Sequence, residues 1–305
     1  MKKIVALSAP FPGAKRPLEE GAKLGWWDFI NLGDQPHHIP RADTYIFGAW
    51  HPDYEPLIRM IKDQMGYQTK ICVLWTSSIG EVDLCPPETG YLSWIMESPL
   101  IDKVWFGDPG FHEAYPKKSF FAYYPLAVNV GMAEIPIPEK HQIVTLFCPS
   151  TTKKNILVQL MAVKIAQRLA TPEEFFTLHT NVDGYGWILK DIRHHQHPWL
   201  EKAEYEALIG SSKCNLALSH CETFNYQVAE AALLGTPSLI SNTIPLMGYL
   251  VEDHTNVLRV VEGIQEMLHE DTGYAIRNRG ALIHQALGRN KQTELTLAQN
   301  FYLAG

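Results

Sequence analysis

An alternation that runs twice along the chain constrains its fold more than any other feature. The runs "KIVALS", "WWDFINLG", "TYIFGAW", "KICVLWTSS" and "KVWFGD" are short and rich in β-branched and aromatic residues. Two amphipathic stretches of helix length, "PDYEPLIRMIKDQMG" and "ETGYLSWIMESP", are interleaved with them. Strands separated by helices cannot pair as hairpins; they form an open, mainly parallel sheet covered on both faces. The pattern lapses from Tyr124 to Gln142, a Pro-rich stretch without periodicity that reads as a crossing linker. It then resumes as the strands "IVTLFCP", "EFFTLHTN", "CNLALS" and "PSLIS", with the helices "KKNILVQLMAVKIAQRLA", "EKAEYEALIGSS" and "NYQVAEAALLG" between them. After a short strand region, helices complete the chain. With 305 residues, 46% of them hydrophobic, two cores are possible. The expected fold is α/β, with two doubly wound Rossmann-like domains facing a cleft. The N-terminal one covers 1–130 and the C-terminal one 131–305, and the last helix can pack back on the first domain. No internal repeat of fixed period is visible.

A net charge of -7 removes any overall electrostatic reason to bind nucleic acid or an anionic membrane. The basic clusters "GAKRP", "YPKKS" and "GRNK" leave a local exception open. No segment has the length of a membrane span, and the apolar run in "MKKIVALSAPFPG" is shorter than a signal peptide needs and reads as a first strand. Five cysteines, odd in number and without a CxxC pair, point to buried thiols in a reducing compartment, so the cytoplasm is the expected location.

The stretch "SHCETFNYQVAEAALLGTPSLIS" poses a chemical question. Glu230 stands in a helix among Val228, Ala229, Ala231, Ala232, Leu233 and Leu234, where an unpaired carboxylate is expensive. A strand runs to Ser219, a loop covers His220 to Thr223, and a helix starts near Phe224. Gly235 and Pro237 then end it. Ligands of open α/β sheets sit beyond the carboxyl ends of the strands, at helix N-termini. The free amides around Thr223, Phe224 and Asn225 would therefore favour a phosphate. On the residues alone, Glu222 can also be a first-turn acid and Glu230 a member of an exposed face.

These residues resemble the donor signature of retaining GT-B glycosyltransferases of the large family 4 type, with its Glu-x7-Glu spacing: Ser219, Glu222 and Phe224, then "EAALLGTPSLIS" from Glu230. The resemblance implies that Glu222 faces the transferred sugar and Glu230 binds the ribose hydroxyls of the nucleotide. Eight residues at helical rise cover roughly 12 Å, about the span of a diphosphate with a sugar at each end. The family's basic pair after the first strand of its C-terminal domain corresponds to Lys153 and Lys154 in "LFCPSTTKKNILVQ", with no arginine. Ser150, Thr151 and Thr152 can donate to phosphate oxygens or cap the helix. The resemblance further implies transfer with retention from a nucleotide sugar, with no cofactor beyond that co-substrate; a UDP-sugar is the first expectation on general grounds, and the residues do not name the base. The chain contains no Asp-x-Asp to bridge a metal to a diphosphate, so the leaving charge would be balanced by lysines and helix amides. The loop after strand one, "SAPFPGAKRPLEEG", lacks the family's paired glycines, and no counterpart of its acceptor-side histidine stands out.

On the acceptor side, Trp75, Thr76 and Ser77 close a strand and offer an aromatic ring with hydroxyls, or simply a turn. Glu81 and Asp83 are alternative bases. Trp26 and Trp27 read as core, and "IRHHQHPWLE", with His194, His195 and His197, reads as a polar turn rather than a metal site. The acceptor could be a glycan, a lipid-linked sugar, a small molecule, a protein or, as a minority reading, a modified DNA base. A non-catalytic nucleotide-sugar-binding homologue, an epimerase and a phosphorylase are the competing functions. Oligomeric state is not legible.

Overall fold

Ile4–Ser8 are five consecutive buried residues and form the first strand, β1, as expected of a strand covered on both faces. The computed structural model describes residues 3–8, 12–34, 39–84, 86–149, 152–222, 224–246, 248–270 and 272–302. The chain divides into two units, Met1–Val128 with Ala286–Gly305, and Asn129–Gln285.

In the first unit β1 is followed by α1 (Pro12–Lys23), β2 (Asp28–Asn31), β3 (Thr44–Gly48), α2 (Tyr54–Met65), β4 (Lys70–Trp75), α3 (Ile79–Leu84), α4 (Pro86–Glu97), β5 (Lys103–Phe106), α5 (Pro109–Ala114) and β6 (Ser119–Phe121). The six strands are parallel in the order β2-β1-β3-β4-β5-β6. Helix α2 shows how the sequence specifies this. Tyr54, Ile58 and Ile61 recur at helical spacing on its buried face. They share a core with Phe47, Val73 and Val104 of the sheet, and Gly66, at a φ of 90°, stops the helix. The segment expected as a loop after strand one is α1. Its Gly21 lies against the ring of Trp27, whose indole N–H donates to the Leu18 carbonyl at 2.8 Å. Trp27 is core, as its sequence setting suggests.

The second unit contains β7 (His141–Leu146), α6 (Ile156–Leu169), β8 (Thr177–Thr180), α7 (Gly186–Leu189), β9 (His194–Gln196), α8 (Lys202–Ser211), β10 (Ser212–Ala217), α9 (Tyr226–Leu233), β11 (Ser238–Ser241), β12 (Tyr249–Val251) and α10 (Val257–His269). Its parallel sheet has the order β12-β11-β10-β7-β8-β9. Val144, Leu146, Leu178, Leu216 and Leu239 of the strands meet Leu160 and Val163 of α6 and Val260 and Ile264 of α10. The histidine tract expected as a turn is instead the edge strand β9, paired with β8 from Leu178↔His194 to Thr180↔Gln196. The long helix α11 (Thr272–Leu297) supplies its residues up to Gln285 to this unit and those from Ala286 to the first. Among the described residues no helix is long and apolar enough to cross a membrane.

Candidate functional site

The order of the second sheet locates its switch point. From β7 the chain runs outward through β8 and β9, then returns to the other flank of β7 with β10 and continues to β11 and β12. The loops leaving the carboxyl ends of β7 and β10 therefore diverge from neighbouring strands, and such a switch point is where open α/β sheets bind ligands. Leu146 is followed by Phe147, Cys148 and Pro149, then by a 3-10 turn, Thr152–Lys154. Asn155 enters α6 in the left-handed region, φ 47° and ψ 38°. Beyond β10, the residues Leu218 to Asn225 lead into α9.

These two loops are tied together by side chains far apart in sequence. Lys154 Nζ lies 2.6 Å from Glu222 Oε2, and the two side chains are only 14% and 10% exposed. The Ser219 hydroxyl is 3.3 Å from the same carboxylate oxygen, 2.9 Å from the Lys153 carbonyl and 3.0 Å from the Cys221 carbonyl; with one proton it serves one of them at a time. The His220 amide donates to the Lys153 carbonyl at 2.8 Å. Gln159, buried on α6, donates to the carbonyls of Lys154 (2.7 Å) and Leu218 (3.3 Å) and accepts from the Leu218 amide (3.2 Å). Behind the loop, Ser241 accepts from the Ser219 amide at 3.0 Å, and its hydroxyl and that of Thr243 reach the Ser219 carbonyl at 2.7 and 2.8 Å. Burial pushes the nearby Cys148 thiol up to about 11, with Lys154 pulling down and Glu222 pushing further up; at neutral pH it is not a thiolate.

Of the residues singled out in the sequence, Lys154, Glu222 and Ser219 meet directly, and Lys153 joins them through its carbonyl. Asn225 is the N-cap of α9, accepting from the Val228 amide at 3.2 Å, so the helix starts at Tyr226, two residues beyond the expected position. Phe224 packs against the Tyr226 ring at 4.6 Å between centroids. Glu230 is half-buried in α9, and Gly235, at φ +76°, ends that helix where a Cβ would come within 2.9 Å of Ile137. Ser150, Thr151 and Thr223 lie outside the described residues, as does the side chain of Thr152. In the first unit, Trp75 is 3% exposed and sits in the core rather than presenting an open ring face. Thr76 follows it, half-buried, and the Ser77 hydroxyl donates to Glu88 at 2.6 Å.

Sequence reading misses Gln159, Ser241, Thr243 and His179. A glutamine inside the apolar run "NILVQLMAV" is the available signal for the first. His179 of β8 lies 2.9 Å from His197 (Nδ1 to Nε2), with the His195 ring at 4.8 Å. Burial, with His197 and His195 beside it, pushes the His179 imidazole down to about 4. Among the described residues no group of three or more His, Cys, Asp or Glu is placed to hold a metal ion.

Two doubly wound parallel units, the second with a charged, hydrogen-bonded cluster at its switch point, make this a GT-B-type α/β fold. Solved structures with that fold match almost the whole chain. HepE of Anabaena, in complex with UDP and glucose, is similar at a TM-score of 0.65 and 13% identity, over 98% of this chain and 100% of that one. A UDP-forming α,α-trehalose-phosphate synthase from Burkholderia xenovorans is similar at 0.63 and 10% identity, over 100% and 98%. A glycosyltransferase from Rickettsia africae is similar at 0.62 and 12% identity, over 97% and 98%. No protein-family model matches the sequence, and no curated protein matches it.

Proposed function

We propose that the chain is a glycosyltransferase that moves a sugar from a nucleoside-diphosphate sugar, a UDP-sugar foremost, to a hydroxyl-bearing acceptor. The observation that carries this reading is the meeting of Lys154 and Glu222 at the switch point of the second sheet, one helix entry before the half-buried Glu230. A lysine there can neutralise a leaving diphosphate, and the amides at the start of α9 add to it. Glu222 would then hold hydroxyls of the transferred sugar and Glu230 those of the ribose, in the manner of the retaining family 4 type. In that reading transfer proceeds with retention and needs no metal to bridge the diphosphate. The acceptor is a glycan, small molecule or other alcohol. The buried free thiols of Cys72, Cys148, Cys214 and Cys221 support a cytoplasmic location.

The test is a thermal-shift series with UDP, GDP, ADP, dTDP and CMP and their sugar conjugates, on the wild type and on Glu230→Ala. A ligand at about 100 times its Kd adds roughly 2.7 kcal/mol of stability. Stabilisation of the wild type by one nucleotide series, lost in Glu230→Ala, is the expected result. A melt unmoved by millimolar ligand would remove the donor-site reading. Once a donor and acceptor are in hand, Lys154→Ala is expected to lower kcat by about 10²–10³, the size seen when one stabiliser of developing negative charge is removed.

A further inference from the structure

We propose that Glu222 is an intramolecular competitor for the diphosphate: by pairing with Lys154 it makes the site hold an intact sugar donor well and the bare nucleoside diphosphate poorly. This rests on the donor-site reading above and adds a specificity role to it.

The ion pair is the starting point. At 2.6 Å and with both side chains largely buried, its attraction is little screened by water or salt. The two loops that carry it are held at Lys153 and Lys154 on one side and at Leu218 to His220 on the other. Gln159 bonds the Lys154 carbonyl and both main-chain groups of Leu218, Ser219 bonds the Lys153 carbonyl, and Ser241 and Thr243 fix Ser219 from behind. The pair therefore cannot be opened cheaply by moving the loops apart; the side chains themselves must change partners. A diphosphate that engages Lys154 competes with Glu222 for its positive charge and its three N–H donors, and sets a new negative charge beside that carboxylate. The cost of that exchange depends on the other end of the ligand. A sugar on the diphosphate brings hydroxyl donors that can replace the lysine at Glu222. A bare nucleoside diphosphate brings none, and the carboxylate is left buried and unpaired next to an anion, the arrangement that breaking a buried pair makes costly. The same inequality acts in reverse after transfer. Once the sugar has left, Glu222 regains its claim on Lys154 and helps to displace the nucleotide product.

The experiment is calorimetric titration of UDP and of UDP-glucose into the wild type, Glu222→Gln and Glu222→Ala, with circular dichroism to verify folding. Glutamine keeps the shape and removes the charge. Glu222→Gln is expected to bind UDP at least about fivefold more tightly than the wild type, while the preference for UDP-glucose over UDP falls by about tenfold. Glu222→Ala is expected to move UDP affinity in the same direction, so either folded variant decides. UDP binding that is unchanged or weaker in the folded variants, with the wild type binding UDP, would overturn the competitor role and leave the donor site intact. A wild type that binds neither ligand, nor any nucleotide of the thermal-shift series, removes the donor site itself and the competitor role with it.

Discussion

Gln159 carries a large share of the site's geometry through three hydrogen bonds made by one neutral side chain. Gln159→Leu keeps the size and leaves the Lys154 carbonyl and both Leu218 main-chain groups without that partner. Unsatisfied buried groups of this kind cost about 1–3 kcal/mol each. A loss on the order of 3 kcal/mol in urea unfolding is expected, and a loss below about 1 kcal/mol would show that the loops hold themselves. The histidine cluster gives a pH signature. His179 is pushed down to about 4 from an ordinary 6.5, and burial lowers His197 as well. The unfolded chain thus takes up these protons first as pH falls. The stabilisation from keeping them off is present above about pH 6.5 and is lost progressively towards pH 4. The urea midpoint of the wild type is expected to drop between about pH 7 and pH 5, and that of His179→Gln to drop less. The sequence marks Gln159 only as a polar residue in an apolar run and His179 not at all; their roles show only when residues some sixty and eighteen positions away arrive beside them.

At the scale of elements, the central strands are legible in the sequence, whereas of the edge strands β2 is legible and β6 and β9 are not. Runs such as "IVALS" and "TYIFG" are buried on both faces, so nearly every residue is apolar and the signal is strong. The edge strand β9 has one flank towards solvent and reads "HHQ"; β6 is three residues long. Neither is long or apolar enough to show a period. Helix α1 reads as a loop because it carries Pro17 and glycines, residues that intrinsic propensity counts against a helix. Packing overrides that count at Gly21, where an added Cβ would lie 2.0 Å from Trp27 Cζ2. Gly21→Ala, which improves helix propensity, is nevertheless expected to destabilise by about 1–3 kcal/mol through overpacking; a more stable variant would show that the indole shifts freely. The order of elements around Glu222 and the helix that carries Glu230 is visible in the sequence, whereas the Lys154 contact is not. The lysines suggest an anion nearby, and the structure supplies one from within the chain, 68 positions on.

At the scale of the whole molecule, the first unit is built from two separated pieces of chain. Asn290 of α11 seals them: its side chain accepts from the Leu126 amide at 3.2 Å and donates to the Leu126 carbonyl at 2.7 Å. Thr293 adds a bond to the Tyr123 carbonyl at 2.9 Å, and Arg289 lies over the Tyr123 ring. Asn290→Ala is expected to cost about 1–3 kcal/mol for the two stranded main-chain groups, read as an earlier transition of the first unit by native-state hydrogen exchange at Leu126. The second unit, by contrast, is one continuous stretch. On a ribosome this reverses the order of completion. The main-chain groups of Leu126 wait for a partner 164 positions later, roughly 8–30 s at about 5–20 residues per second. The unit translated second has all of its residues in hand at Gln285, and the unit translated first stays open until the part of α11 from Ala286 onwards emerges.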